Sequence, residues 1–465
     1  MKKDEALRRE EWAGKDPLVL KQFQKALLDS LKGEKRVALY SGLGTGKTIT
    51  SLAKANEINS PAVLVVCQVS QVEEWVLNAL RQCKGRTVYN LRNKAEFDGF
   101  MADDGARLGV INYDLVWRKA ELKKLKDFTL ILDESSLISN RSSKRTKFCL
   151  KIGRNAEGVI CASGTPCSGR YEGLISQCWL LNWQVGVQEF WDRYVIYSTW
   201  SPPGTHAQIR QVKGYKNTDD LIRNLEERCH ARFLRSDAVL DLPDENDTDI
   251  FCDVTREYKE FLKNYYIRVS DDVELIGDSS MARRIYLRQL AGAYNPGKET
   301  ALMELLERTE DRIIIFYNYE IELAVIKRVC QKLNKYLLEQ NGRTHQQEDF
   351  KKIPGSVLAV QYQSGGRGLN LQCCNAMVFF SPSDSCELYT QARGRIRRMG
   401  QTRPCHYYHL ICQGSIDERI REAVQNGQDY TETLFLLDFP GRKNHLEKGG
   451  VSDGDGTETE ETASL

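Results

Sequence analysis

The stretch "RVALYSGLGTGKTITSLA", Arg36 to Ala53, is compatible with few folds. An apolar, β-branched run enters a glycine-rich turn closing on Gly46-Lys47-Thr48, and a helix-forming segment follows. That strand–turn–helix order lets backbone N–H groups and a helix N-terminus cradle phosphate. The rest of the chain repeats the alternation. Strand candidates in the first half are "RVALY", "AVLVVC", "RLGVINY", "FTLILD" and "EGVICAS"; in the second they are "DRIIIFY", "SVLAVQY", "AMVFFS" and "PCHYYHLI". Polar or helical-period residues follow each, which argues for parallel sheets with crossover helices. Phe190 to Lys298 is less regular, carries a Pro-Pro-Gly turn at Pro202, and reads as helical excursions plus a connector. The expected fold class is therefore α/β with two mostly parallel sheets flanked by helices. The expected domains are 1–228, 229–442 (connector and helical excursion at 229–297) and a disordered tail at 443–465.

The 465 residues are 41% hydrophobic, enough for two cores. A net charge of +2 hides an asymmetry: from Gly449 onward there are five acids and no base, so the body stands near +7. That surplus permits nucleic-acid binding without requiring it. The tail is too polar to pack. Fourteen cysteines contain no C-x-x-C pair, several lie inside apolar runs, and they read as reduced thiols of a reducing compartment rather than as disulfides or zinc ligands. No apolar run approaches 18 residues and the N-terminus has no signal-peptide core, so no membrane partner is expected and the cytoplasm is the expected location.

The chemistry gathers in three segments. Backbone N–H groups from Gly44 through Thr45 and Gly46 to Thr48 would hold phosphates, Lys47 would add a point charge, and the Thr48 hydroxyl would face Mg²⁺. "LILDESS" ends a strand in two carboxylates, of which Asp133 would hold Mg²⁺ and Glu134 would polarise an attacking water. "QARGRIRRMGQ", Gln391 to Gln401, places four arginines within six residues on a predicted helix, where they repel unless anions or acids compensate them. Arg395 and Arg398 would share one face and point at a γ-phosphate bound by the other half.

These motifs, in this order, resemble a superfamily-two helicase, most closely the Swi/Snf-like DNA translocases in a minimal form of the phage or bacterial kind. "LKQFQKALLDSL" is similar to the family's L-R-x-Y-Q segment, which implies Gln24 as adenine reader. The lost first glycine, Ser41, is tolerated in this group. "VLVVCQVSQVEEW" resembles the segment ending in a DNA-contacting Trp, with Gln68 in place of the usual proline. "VINYDLV", "SGTP", "SGGRGLNLQ" and "QARGRIRRMGQ" match later motifs, and "DESS" departs from the usual D-E-x-H or D-E-x-Q. The resemblance implies two RecA-like domains, ATP and Mg²⁺ as cofactors, and a monomer acting on double-stranded DNA, with single strands an alternative partner. It implies Gly368 and Gln391 beside the nucleotide, and Ser70, Trp75, Ser163, Thr165, Ser364 and Gly366 along the DNA. The loop "NRSSKRTK" adds four bases that could meet DNA. The expected activity is DNA-stimulated ATP hydrolysis driving translocation; a strand-separating helicase and an ATP-gated clamp are the alternatives. If the source is a phage, the host cytoplasm is the expected compartment.

Overall fold

The computed structural model describes residues 2–167, 169–200, 209–365 and 371–439. The first half supplies β1 (Arg36–Ser41), β2 (Ala62–Cys67), β3 (Thr87–Asn90), β4 (Arg107–Asn112), β5 (Phe128–Asp133) and β6 (Gly158–Ser163). A two-stranded antiparallel hairpin follows, β7 (Val195–Trp200) with β8 (Ile209–Tyr215), and then β9 (Ala231–Leu234). The large sheet runs β3-β4-β2-β5-β6-β1-β9 with every pairing parallel. β2, β5 and β6 are buried at every position, because helices cover both faces of the sheet. That double burial is why these strands read as continuous apolar runs.

The chain crosses to the second sheet between Arg235 and Asp244. This sheet comprises β10 (Glu245–Asp253), β13 (Ile313–Tyr317), β14 (Leu337–Gln340), β15 (Val357–Gln361), β16 (Ala376–Phe379) and β17 (Cys405–Gln413), in the parallel order β10-β17-β16-β13-β15-β14. A small hairpin, β11 (Tyr266–Ser270) with β12 (Val273–Ile276), lies between them in sequence. β9, which follows the expected boundary at Cys229, pairs with β1 and extends the first sheet. The purely helical reading of Phe190 to Lys298 is corrected: the segment holds both hairpins, β9 and β10 as well as helices. The turn at Pro202 and the tail at 443–465 lie outside the described residues.

All fourteen cysteines are free thiols. Among the described residues no helix is long and apolar enough to cross a membrane.

The second core is locked by a buried ion pair. The Lys298 ammonium, fully buried, donates to Asp417 and to the Phe380 carbonyl, and the Asp417 carboxylate also accepts the Cys412 N–H. Removing one partner strands the other charge in an apolar core. Lys298→Ala should therefore destabilise the second half by about 3–5 kcal/mol, read as a lowered denaturant midpoint of that half's unfolding.

Candidate functional site

β1 delivers the chain to the loop at Ser41, and the helix Lys47–Ile58 begins with Lys47 itself. Gly46 caps that helix at φ 79°, a left-handed conformation glycine adopts without strain. A Cβ there would also lie 2.5 Å from Gln24 Nε2. The Lys47 ammonium donates to the carbonyls of Ser41 (3.1 Å) and Gly42 (3.4 Å), which places it at the neck of the loop. Thr48, half-exposed, takes the helix's second position. Gln24 is buried: its Nε2 donates to Thr45 O at 2.9 Å and its Oε1 accepts Lys21 N–H at 2.9 Å. An adenine read by Gln24 would use the remaining amide proton and Oε1 lone pair.

β5 carries Asp133 to the same end of the sheet. Its Oδ2 accepts the indole N–H of Trp75 at 2.8 Å, and its main-chain oxygen accepts the Tyr113 hydroxyl at 2.9 Å. Burial, with Glu134 and Glu74 nearby, pushes the Asp133 carboxyl up to about 7 against the opposing pull of Trp75 and Lys47. Glu134, at φ 48°, accepts the Ser163 hydroxyl at 3.2 Å. The β6 end is thus tied to the candidate base. Ser135, not Ser136, continues the network: its hydroxyl donates at 2.7 Å to Gln177 Oε1, which also accepts Tyr40 OH at 3.0 Å, while Gln177 Nε2 donates to Pro166 O at 2.8 Å. Gln177 and Tyr113 were missed from sequence. A fully buried glutamine inside the apolar run "LISQCWL" was the signal for the first.

Two expected DNA contacts are buried. Trp75 is buried in the helix Val72–Gln82, because its indole packs in the core and holds Asp133. Ser163 is buried too, its hydroxyl shared between Glu134 and the Thr165 N–H at 3.1 Å. Ser70 is exposed in the turn Val69–Gln71, and Thr165 is half-buried with a hydroxyl that lacks a partner among the described residues. Ser364 lies in the turn of helix Tyr362–Gly365. Gly366 and Gly368 fall outside the described residues.

The arginine segment is not a helix throughout. The helix Cys386–Arg393 stops at Gly394, where a Cβ would meet Leu43 of the phosphate loop at 2.3 Å. The turn beyond is held by Leu371 N–H donating to Arg395 O and by Gln401 Nε2 donating to Cys374 O. The four arginines divide. Arg393 pairs with Asp247 and with Glu245 (2.8 Å), and Arg397 with Glu245 (3.5 Å). Arg398 backs onto the phosphate loop, its Cβ 3.4 Å from the place a Gly44 side chain would occupy. Burial pulls the Arg398 guanidinium below its ordinary value and Glu74 opposes that pull. Burial raises the Glu74 carboxyl, with Arg398 and then Arg395 opposing. Gln391 is buried with its Nε2 on Glu387 Oε1 at 3.0 Å.

The site fits a nucleotide with a divalent cation. The loop offers Lys47 and backbone N–H groups to phosphate, and the Ser41 hydroxyl is buried without a partner among the described residues. Burial, then Glu134 and Glu74, raise Asp133 against the pull of Trp75 and Lys47, a charge excess that a cation beside Asp133 and Thr48 would relieve. Among the described residues no cluster of three His, Cys, Asp or Glu would hold a metal unaided.

Fold and site define a tandem two-sheet protein with a phosphate loop facing arginines from its other half. Residues 28–302 match the SNF2-related domain and residues 297–400 the helicase conserved C-terminal domain. The chain belongs to the SNF2-related family of superfamily-two helicases. It is 22% identical to a Drosophila melanogaster SWI/SNF-related matrix-associated actin-dependent regulator of chromatin subfamily A-like protein 1, over 86% of this chain and 54% of that protein. It is 24% identical to the Mus musculus DNA annealing helicase and endonuclease ZRANB3, over 91% of this chain and 41% of that protein. The chain thus spans about half the length of these relatives. A solved SWI2/SNF2 ATPase core of Sulfolobus solfataricus, in complex with dsDNA, aligns with a TM-score of 0.42 at 21% identity, covering 90% of this chain and 92% of that one.

The Asp133 environment sets a pH dependence. A carboxyl with a folded value raised to about 7 is protonated below it and charged above it, so kcat/KM for nucleotide hydrolysis should rise with pH through about 7. Trp75→Phe removes the one hydrogen bond that favours the charged form. It should move that limb to higher pH, measured as a pH–rate profile at fixed Mg²⁺.

Proposed function

We propose that the chain is an ATP-driven motor that moves along duplex DNA by alternately closing and opening its two halves. The observation that carries this reading is the approach of Arg398 to Gly44 across the two sheets. In the closed form Lys47 and the loop amides hold the β- and γ-phosphates, and Arg395 and Arg398 meet the γ-phosphate from the opposite side. Mg²⁺ held through Asp133 and Thr48 would neutralise developing phosphate charge. Glu134 takes a proton from the attacking water, and Ser163 hydrogen-bonds the same carboxylate, so a change at the base reaches the "SGTP" loop directly. Loss of the γ-phosphate removes what the arginines bridge to, and the halves separate.

DNA as the track is supported by the basic residues Arg141, Arg145, Lys147 and Arg170, which line a cleft shared with Glu387 and Asp429 of the second half. The mouse relative's description as a DNA annealing helicase points the same way. Phosphate contacts of this kind are sequence-independent and salt-sensitive. A strand-separating helicase is the second reading, and the hairpin β7–β8 beside that cleft favours it.

Steady-state ATPase rates with duplex DNA, single-stranded DNA, RNA and no nucleic acid, each at two salt concentrations, test the proposal. Stimulation by duplex above all others is expected, and a rate indifferent to every nucleic acid would remove the motor reading. Lys47→Ala should abolish turnover. Arg398→Ala should lower kcat by about 10³-fold or more while nucleotide affinity changes far less. Glu134→Gln should retain bound ATP and strengthen DNA association, read by filter binding.

A further inference from the structure

The hairpin β7–β8 is fixed at its base and charged along one strand. At its root Lys216 N–H donates to Tyr194 O at 3.0 Å, Tyr215 OH donates to Glu172 at 3.0 Å, and the Tyr171 and Tyr215 rings pack 4.3 Å apart. Farther along, the Arg210 guanidinium is flanked by the Trp191 ring at 5.1 Å and the Tyr197 ring at 5.3 Å. Its hydrogen bond goes to the neutral Gln188 rather than to a carboxylate. Rings on two sides restrict the side chain, and the Asp192 carboxylate, whose charge it feels through space, takes its hydrogen bonds from Gln188 and the Tyr197 hydroxyl instead, an arrangement that lowers the cost of ordering Arg210 against an anion. Lys213, exposed, is the extra residue where the register shifts: Ile196 pairs with Gly214 and Tyr197 with Val212. Such a bulge breaks the two-residue alternation that would separate Lys213 from the Arg210 face.

A second cation crowds this charge, with Asp192 and Glu172 as partial counter-charges. Arg141 lies close enough to Arg210 for the two to repel, its guanidinium pulled below the ordinary value by burial first and by Arg210 second, and its Nη1 is buried without a partner among the described residues. β8 walls a cleft of ≈ 780 Å³, and the segment 140–147, expected as a loop but running from a turn into the helix Lys144–Gly153, lines a neighbouring one of ≈ 980 Å³. Both clefts include Arg170, Glu172 and Asp429, so they form one trough running from the "SGTP" side of the first half, past the second half, to the hairpin.

We infer that the hairpin is a phosphate-binding arm: Arg210 and Lys213, with Arg141 and Arg170, take the sugar-phosphate backbone of duplex DNA as it leaves the cleft between the halves. The inference rests on the DNA reading proposed above and extends it to residues outside the helicase motifs. Cations from three separate segments, residues 140–147, the 169–172 turn and β8, fit a continuous polyanion lying along a trough better than a single anion held at one point.

Fluorescence anisotropy of a labelled two-turn duplex, titrated at several salt concentrations, tests it on the full chain. Lys259→Ala, which removes an exposed charge from the helix Arg256–Asn264, sets the baseline. Arg210→Ala and Lys213→Ala should each weaken binding about 3- to 10-fold at low salt and lower the slope of log K against log salt by about one per cation lost. Melting temperatures show whether Arg210→Ala disturbs the hairpin; Lys213→Ala, at an exposed position, carries the test if it does. Wild-type binding with both hairpin variants indistinguishable from Lys259→Ala overturns the hairpin inference alone. Absence of wild-type duplex binding at every salt concentration overturns the DNA reading, and the inference with it.

Discussion

The ion pairs of Arg393 hold the rest of the site in register. Its guanidinium lies 4.0 Å from the Tyr407 ring centroid and bridges Asp247 and Glu245 on the edge strand β10. Tyr407 OH donates back to Arg393 O at 3.0 Å, so the residue is gripped by side chain and main chain together. Asp247 also accepts from His409 Nε2 at 2.8 Å, and although burial pushes its carboxyl up, the hydrogen bonds from His409 and Arg393 hold it well below the usual range. One residue thus joins β10, β17 and the end of the helix Cys386–Arg393. The turn that follows points away from this anchor, toward the phosphate loop. Had Arg393 and Arg397 lacked acids of their own, four like charges would have competed for one phosphate. The edge strand absorbs two of them, and Arg398 backs onto the loop.

On the proposed reading, charge balance across the cleft makes closure conditional on ligand. Glu74, Asp133 and Glu134 face Lys47, Arg395 and Arg398, and Glu74 sits within reach of both arginine fields. At ~4 Å and an effective dielectric of ~20 such a pair is worth about 4 kcal/mol before desolvation is subtracted. A nucleotide with its cation therefore exchanges one set of counter-charges for another, and the net bias between open and closed is the small difference of two large terms. A motor needs that balance: a closed form held too strongly by protein charges alone would never release.

How much of this was legible follows the same physics. Strands buried on both faces, such as "AVLVVC" and "FTLILD", announce themselves because nothing polar can be placed in them. β10, "ENDTDIFCD", reads as loop, since its mostly exposed acids are poor strand formers; it is a strand because β17 and the arginines of another segment hold it there. The short strands β3 and β14 and the hairpin fail for a similar reason, each resting on neighbours distant in sequence. Among site residues, Lys47, Asp133 and Glu134 were readable because spacing along a strand–turn–helix fixes where they point. A motif resemblance gave Trp75 a surface role, and its place on the apolar face of Val72–Gln82 turns it inward. The arginine helix misled because nothing local shows that Leu43, some 350 residues earlier in the chain, occupies the space beside Gly394.

The two halves touch at two separate places along their shared boundary. On the nucleotide side Leu43 and Gly44 pack on Gly394 and Arg398; on the far side a Cβ at Gly169 would lie 2.4 Å from Gly427 O, and the Arg170 charge acts on Asp429. A rotation that opened the first contact while preserving the second would change the trough's width without breaking it. Within the first half, the Gln177 amide joins β1, the loop after Asp133 and Pro166 in one buried node. With one oxygen accepting from two hydroxyls, it cannot follow Tyr40 and Ser135 apart. The node thus ties the carboxylate loop to the "SGTP" loop through one side chain.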